Sequence, residues 1–570
     1  MSTIGLKSTS QNAVLEGSVS IPATRRRTPA LSLQQATVLT IGVMIVMGFG
    51  LRLVGLGSVG FAEDEIQKLQ AVRAYDRGDF TPNAEHPMMM KALIDVSMRA
   101  ERAWNSVSAR HISDESALRF PNVLVGALTA IPLFLLTATL FDRRTGLWAA
   151  AFWSFGVNAI TYNRIGKEDS LMVFFMLFAF YFFIRAKQID AHDQKKVSRL
   201  RNLSAVSFGL MLASKYFPHY LGLNMLYHHY YRVRDRTADE PKSITPFSFF
   251  LLIGITLVLA NPVILLPKVW MYLNAYSGEK LLTHTGYLMG AHLYKNTFSR
   301  SPFWGTPVYF YLLFLAIKVP LAVLAASVTG FIVSLRRWRS PGHGFVLFML
   351  LLWIVPYSLI GSKWPRYMLS LMPFLYMSAA IGVVAVTRWA TPLLEKFRPG
   401  PVAQKFVTAS LLLALVVVPG WSAYAGAPHY SLYSNALGQS YTAYFFPHDE
   451  FYDDGLNDAI RFVAARAPRN ALIVSETPGV VGYYTEKYDR TDLQSRVLSD
   501  ANFAVSDQGP AYYILQRGRT YFENQNKLKE VRDRFSLVYA GCIKGHTAAE
   551  IYATVAGPNE LVQPCGDARP

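Results

Sequence analysis

The sequence predicts a polytopic α-helical membrane protein with a C-terminal α/β domain, and three observations predict it. Of 570 residues, 52% are hydrophobic and only 16% are charged, whereas a soluble globular chain carries about a quarter charged residues. Long apolar runs recur with short basic clusters between them. The final stretch, from about residue 425 onward, has no such run. This composition excludes disorder and argues against an ordinary cytosolic enzyme. The formal charge of +18 does not indicate nucleic acid, because Lys and Arg punctuate the apolar runs instead of lining one polar face. A lipid bilayer is the expected partner. Cys542 and Cys565 are the only cysteines, which leaves no CxxC pair, zinc spacing or thiol-enzyme signature.

Crossing a hydrocarbon core of about 30 Å takes roughly 20 apolar residues as a helix, and about eleven such spans can be drawn. Residues 1–32 form a cytoplasmic N-terminal tail, with Arg25, Arg26 and Arg27 ahead of the first span, Leu33 to Leu56. That run is too long for a signal-peptide core and lacks a small-residue cleavage site, so it is retained as a span. Others lie near 120–141, 146–162, 169–186, 247–267, 307–334, 345–361, 367–389 and 406–424. Residues 203–231 supply the remaining two as a hairpin turning near Lys215 and Pro218. A single helix there would put the basic connectors 187–201 and 232–242 on opposite sides. The hairpin keeps every basic connector in the cytoplasm. The membrane domain is then 33–424, and the loops 60–118 and 268–305 and the tail 425–570 lie on the extracytoplasmic face of a multi-pass cell-membrane protein.

The tail reads as a folded α/β domain. A helical pattern in Asp454 to Ala467 precedes strand-like apolar runs at Ala471 to Ser475, Ala511 to Gln516, Phe535 to Ala540 and Glu550 to Val555. About 140 residues can bury a core of their own. Both cysteines fall here, on the oxidising side, so a Cys542–Cys565 disulfide is expected, two unrelated thiols being the alternative.

Chemistry concentrates at the outer ends of the spans. Glu63-Asp64-Glu65 follow the first span; adjacent carboxylates repel, and a partly desolvated one is pushed toward a pKa suited to a general base. A hydrated acidic loop is the alternative. Glu85-His86-Pro87 and Lys91 follow in the same loop, at a spacing that suits an anionic headgroup, although His86 alone reads as a surface histidine. Arg164 and Asp169, at the boundary of the fourth span, are costly there unless paired or facing a polar cavity, and are expected to pair with one another inside a site, snorkelling caps being the alternative. Lys215, deep in the hairpin, must reach a cavity or an anion. Lys363 and Arg366, with Trp364 and Tyr367, form a cationic cluster on the face that the positive-inside rule disfavours. A phosphate at the outer leaflet explains it, and an interfacial anchor is the alternative.

Taken in this order, the clusters resemble the membrane-embedded glycosyltransferases of the GT-C class, in particular the protein O-mannosyltransferases (glycosyltransferase family 39) and the bacterial lipid A aminoarabinose transferases. Asp64-Glu65 is similar to the acidic pair after the first span of these enzymes, and Arg52 to the arginine before it. His86-Pro87-Met88-Met89-Met90-Lys91 keeps the ends of the mannosyltransferases' His-Pro-Pro-Leu-Gly-Lys stretch, while Glu85-His86-Pro87 is similar to the Glu-Lys-Pro of the other group. Arg119, Arg164, Asp169-Ser170, Ser214-Lys215, Lys363 and Arg366-Tyr367 resemble later motif positions. The eukaryotic-type mannosyltransferases insert a β-trefoil in mid-chain; here the soluble domain is C-terminal, which favours a bacterial branch.

The resemblance implies an inverting transfer of one sugar, a mannose-like hexose or an aminopentose, from a polyprenyl-phosphate carrier to a hydroxyl of a protein, lipid or glycan acceptor. It implies Asp64 as the base, Glu65 and Glu85 orienting acceptor or sugar, and Asp169 holding Arg164. Lys215, Lys363 and Arg366, with Arg164, His86 and Lys91, would meet the phosphate. No metal is obliged, and the loop carboxylates leave room for a divalent ion. The rival reading is a membrane transporter or lipid flippase, but such folds show paired halves with broken helices, and the broken hairpin has no counterpart.

Overall fold

The computed structural model describes residues 32–189, 193–216, 219–234, 246–277, 286–296, 305–396, 401–555 and 565. Two compact units divide at Thr40; the first holds the start of helix α1 (Leu33–Leu53). In the second, α2 (Glu63–Tyr75) and α3 (Met88–Val107) lead to α4 (Asp114–Leu128), α5 (Ala130–Leu140), α6 (Arg143–Phe155), α7 (Val157–Asn163) and α8 (Asp169–Gln188). Then come α9 (Gln194–Ser214), α10 (His219–Arg234), α11 (Phe247–Ala260), α12 (Pro267–Ser277) and a hairpin of β1 (Tyr287–Met289) and β2 (His292–Tyr294). The helices α13 (Phe310–Lys318), α14 (Leu321–Arg336), α15 (Pro341–Leu359), α16 (Met372–Lys396) and α17 (Pro401–Gly426) complete the apolar part.

Among the described residues, five helical stretches are long and apolar enough to cross a membrane: Leu33–Leu53, Asp114–Leu140, Asp169–Gln188, Pro341–Leu359 and Met372–Ala390. Shorter apolar helices occupy Phe247–Ala260, Leu321–Arg336 and Leu413–Gly426. Large apolar side chains on them, such as Val46, Ile255, Val328, Val355 and Val417, are exposed, which suits surfaces solvated by lipid. The chain is a multi-pass membrane protein.

Local chemistry divides two of the expected spans. Pro320, at the cap of α14, has no N–H to continue a helix, and so 307–334 is α13 followed by α14. Gly156 is extended between α6 and α7, and a methyl group there would overlap the Tyr376 hydroxyl. The hairpin region is α9 and α10; α9 ends at Ser214 with Lys215 as its extended cap, and Pro218 lies outside the described residues. Helices α14 and α16 cross at backbone contact: a methyl on Gly330 would overlap the Ser378 carbonyl, and one on Gly382 the Ala326 carbonyl. The Ser378 hydroxyl donates to the Ser327 carbonyl across the same crossing, 2.8 Å. Small residues allow this approach where no hydrophobic drive acts between helices.

After α17 come α18 (Pro447–Phe451), α19 (Leu456–Arg466), β3 (Leu472–Val474), α20 (Pro478–Lys487), β4 (Gln494–Arg496), β5 (Ala511–Gln516), α21 (Gln525–Arg534), β6 (Ser536–Ile543) and β7 (His546–Ala553). The sheet order is β4-β3-β5-β7-β6, parallel among β4, β3 and β5 and antiparallel from β5 through β7 to β6. One face buries a core of its own around Val474, Tyr513, Leu515 and Val531. The other does not: Ile460, Val480, Tyr484 and Ile551 pack with Phe61, Ile66, Leu69, Ile94 and Leu118 from the first long loop and α4. The second face of the sheet is thus covered by α2, α3 and α4. Cys542 and Cys565 form the expected disulfide, Cα–Cα 5.8 Å.

The α14–α16 crossing has a direct test. Gly330→Val should lower stability by about 1–3 kcal/mol, the usual cost of overpacking, read as a lower thermal midpoint of the purified protein in detergent; Ala at Gly42, where a methyl meets nothing, should leave the midpoint unchanged.

Candidate active site

The first turn of α2 carries three consecutive carboxylates, favourable for the helix dipole, and the helical rotation of about 100° per residue sends them to three different partners. Glu63 receives Arg519 Nη1 at 2.7 Å. Glu65, buried, forms a bidentate pair with Arg119 of α4 at 2.8 and 2.6 Å and accepts the Gly166 and Ala62 amides. Asp64, 26% exposed, meets Lys167 at 2.5 Å and accepts hydrogen bonds from Arg366 at 3.0 Å and from the Tyr452 hydroxyl at 2.5 Å. All three contacts fall on Oδ2, and Oδ1 accepts none of them.

This corrects the expected electrostatics. The carboxylates do not crowd one another, so mutual repulsion does not raise a pKa. Burial alone would raise that of Asp64, but Lys167, Arg366 and Lys68 overcome it and hold the carboxyl well below its usual range. Burial and the Asp64 charge keep the Tyr452 phenol protonated.

The segment between α7 and α8 supplies most of the other charges. Lys68, one helical turn after Asp64, pairs with Glu168 at 2.8 Å, both fully buried. Lys215 pairs with Asp169 at 2.6 Å and lies over the Tyr367 ring. Arg164 therefore does not pair with Asp169. It donates to the carbonyls of Arg52 and Val54 at 2.9 and 2.5 Å and of Gly55 at 3.0 Å, closing the end of α1, where a cation satisfies orphan carbonyls. Arg52 grips the Asn163 amide oxygen and the Ser154 and Trp153 carbonyls. Lys68, Lys167, Lys215 and Arg366 face Asp64, Glu168 and Asp169.

Other sequence-chosen residues stand apart from this cluster or serve it differently. His86 lies 3.8 Å from Glu168, and burial pushes its pKa down to about 3. Lys91 is spent on the Asn83 and His86 carbonyls at 2.7 and 3.0 Å. Glu85 accepts from the Asn83 amide, 2.7 Å. Lys363, fully buried, donates to the Thr306 and Ile360 carbonyls at 2.6 and 2.5 Å and so ties two loops together. Glu65 is likewise committed to Arg119. Sequence reasoning missed Lys68, Lys167, Glu168 and Tyr452. The i, i+4 spacing from Asp64 could have found Lys68, and Lys167 and Glu168 adjoin the chosen Asp169. Nothing local marks Tyr452, 388 residues from Asp64. Among the described residues no three His, Cys, Asp or Glu side chains converge to hold a metal ion, so no step through a divalent ion is derived.

Residues 106–265 match the family described as dolichyl-phosphate-mannose-protein mannosyltransferase, a stretch that includes Arg164 to Asp169 and Lys215. An oligosaccharyltransferase of Archaeoglobus fulgidus, solved tethered to an acceptor peptide, is similar at 13% identity with a TM-score of 0.51, over 93% of this chain and 76% of its own. The archaeal oligosaccharyltransferase AglB from the same organism, in complex with an inhibitory peptide and a dolichol-phosphate, is similar at 11% identity with a TM-score of 0.50, over 93% and 75%. The chain has the fold of the GT-C glycosyltransferases. ArnT from Cupriavidus metallidurans bound to undecaprenyl phosphate is similar at 13% identity with a TM-score of 0.49, over 94% of this chain and all, 100%, of that one. No curated protein matches the chain. Within this GT-C fold the ionic cluster sits where the α1–α2, α7–α8 and α15–α16 connections meet.

Glu65→Gln should strand the buried Arg119 and cost about 3–5 kcal/mol, as breaking a buried pair does. Chemical denaturation should show the loss even with no substrate present.

Proposed function

We propose that the protein is an inverting glycosyltransferase that moves a single sugar from a polyprenyl-phosphate carrier to an acceptor hydroxyl on the extracytoplasmic face. The observation that carries this reading is Asp64, a carboxylate held between Arg366 and Lys167. An anionic leaving group and a proton acceptor are what the reaction needs, since a phosphate-linked sugar already has a competent leaving group. The dolichol-phosphate in the AglB complex supports a lipid-phosphate donor for this fold. About eleven spans, a cytoplasmic N-terminus and a boundary near residue 425 complete the reading, with the site and the disulfide-bearing C-terminal segment on the oxidising side.

The roles follow from the contacts. The acceptor oxygen attacks the anomeric carbon from the face opposite the phosphate, and its proton passes to Asp64 Oδ1. The bond from the anomeric carbon to the phosphate oxygen breaks with its electron pair on the phosphate, and configuration inverts. Arg366 and Lys167 stabilise that charge. They also hold Asp64 a weak base at rest, so a phosphate that draws them away restores its basicity as the donor arrives. Lys215 and Asp169 adjoin through Tyr367. Arg164, Lys91, Lys363 and Glu65 hold the backbone around them.

Two outcomes are expected. Asp64→Asn, folded and at normal level, should lose transfer while still binding polyprenyl phosphate; transfer within a few-fold of normal would remove Asp64 as the base. Mass spectrometry of envelope lipids and exported proteins, with and without the gene, supplies the readout. The second concerns pH. Burial first, and Arg366 next, lower the Lys167 pKa to about 8, Asp64 and Glu168 opposing. Its cation is therefore present below that pH and lost as pH rises through it, so polyprenyl-phosphate affinity should fall above about pH 8. Lys167→Arg should move that limb upward.

A further inference from the structure

Helix α2 begins with no side-chain acceptor at its cap position, although Glu65 reaches back to the Ala62 amide at 3.1 Å. Ala62 stands at the cap position and has no side chain to accept an amide, where Ser, Thr, Asp or Asn would normally do so. The missing acceptor comes from the far end of the chain: Asp453 Oδ2 accepts the Glu63 amide at 2.9 Å. Arg519, just beyond β5, grips Asp453 with two hydrogen bonds, 2.8 and 2.5 Å, and reaches Glu63 with a third, 2.7 Å. Gln516 adds another to Asp453 at 2.9 Å. The turn that carries Arg519 presses against Pro447 and His448 at Gly518, φ +81°, where a methyl would overlap the His448 amide.

Tyr452 and Asp453 are consecutive non-glycine residues in the left-handed region, φ 46° and 66°. Such residues persist only where their surroundings over-determine them. The Arg519 grip does so here, and its result is that the Tyr452 hydroxyl lands on Asp64 Oδ2 at 2.5 Å.

We propose that Tyr452 is a positioning residue for the reaction, and that the C-terminal α/β segment, through Arg519 and Asp453, holds its hydroxyl on Asp64 so that Oδ1 stays turned to the acceptor. This rests on Asp64 as the base. Arg366 and Lys167 are the groups a donor phosphate draws away; Tyr452 is neutral and stays. It therefore fixes the rotation of the carboxylate at the stage when the cations leave it. The C-terminal segment is on this account part of the active site and not an appendage.

The test uses the full chain in a deletion strain, at matched membrane levels, reading the rate at which the sugar-bearing species lost on deletion reappears after induction. Binding of polyprenyl phosphate to the purified protein is measured alongside. Tyr452→Phe removes one oxygen and should slow the rate about tenfold, with polyprenyl-phosphate affinity and thermal midpoint unchanged. Asp453→Asn weakens the Arg519 grip while keeping the phenol; it should slow the rate in the same sense, and decides the matter if Tyr452→Phe does not fold. A Tyr452→Phe rate within twofold of normal overturns the proposal, as does a loss of affinity that matches the loss of rate. Asp64→Asn separates the two readings: if it still transfers, the base assignment has failed; if it is inactive while Tyr452→Phe is normal, only the positioning role has failed.

Discussion

The structure depends on one constraint: a charge withdrawn from water at a membrane surface must meet an opposite charge or backbone carbonyls. Asp64 satisfies it through Arg366, 302 residues away, and through Lys167. These contacts join the first loop to the α7–α8 and α15–α16 connections. Lys68 with Glu168 and Lys215 with Asp169 extend the same rule to neighbouring positions. The ionic cluster is thus both the junction of three connections and the seat of the proposed chemistry.

One helical turn divides structural from chemical duty. Glu63 ties α2 to the C-terminal segment, Glu65 ties it to α4, and Asp64 between them is the carboxylate that meets Lys167 and Arg366. A shift of one residue in the start of α2 would put the wrong carboxylate in the site. The capping of that helix by Asp453, where its own Ala62 has nothing to offer, makes its start dependent on residues synthesised almost four hundred positions later.

Much of this was legible in the sequence, and what was not has physical reasons. Apolar length marked α1, α8 and α15, and a strand-like apolar run marked β5 at its observed bounds, Ala511–Gln516. Span counting could not see that Pro320 and Gly156 divide two runs, because hydropathy ignores the backbone. The short β4 and the helices α20 and α21 carry weak patterns and were not expected. Asp64 and Arg366 were chosen for being charged at outer span ends, and they meet. Arg164, Lys363 and Lys91 satisfied the same criterion, yet each caps backbone carbonyls. Charge at a boundary reveals that a partner exists and not whether it is a carboxylate, a carbonyl or a substrate. Burial, invisible in sequence, is what lowers the His86 pKa.

The central claim is that the donor phosphate takes the place of Asp64 as partner to Arg366 and Lys167. Cryo-electron microscopy of the full chain with polyprenyl phosphate tests it most directly. The expected density has the phosphate within hydrogen-bond distance of both cations, with the Tyr452 hydroxyl still on Asp64. A phosphate bound elsewhere, with the Asp64–Arg366 contact intact, would contradict the account.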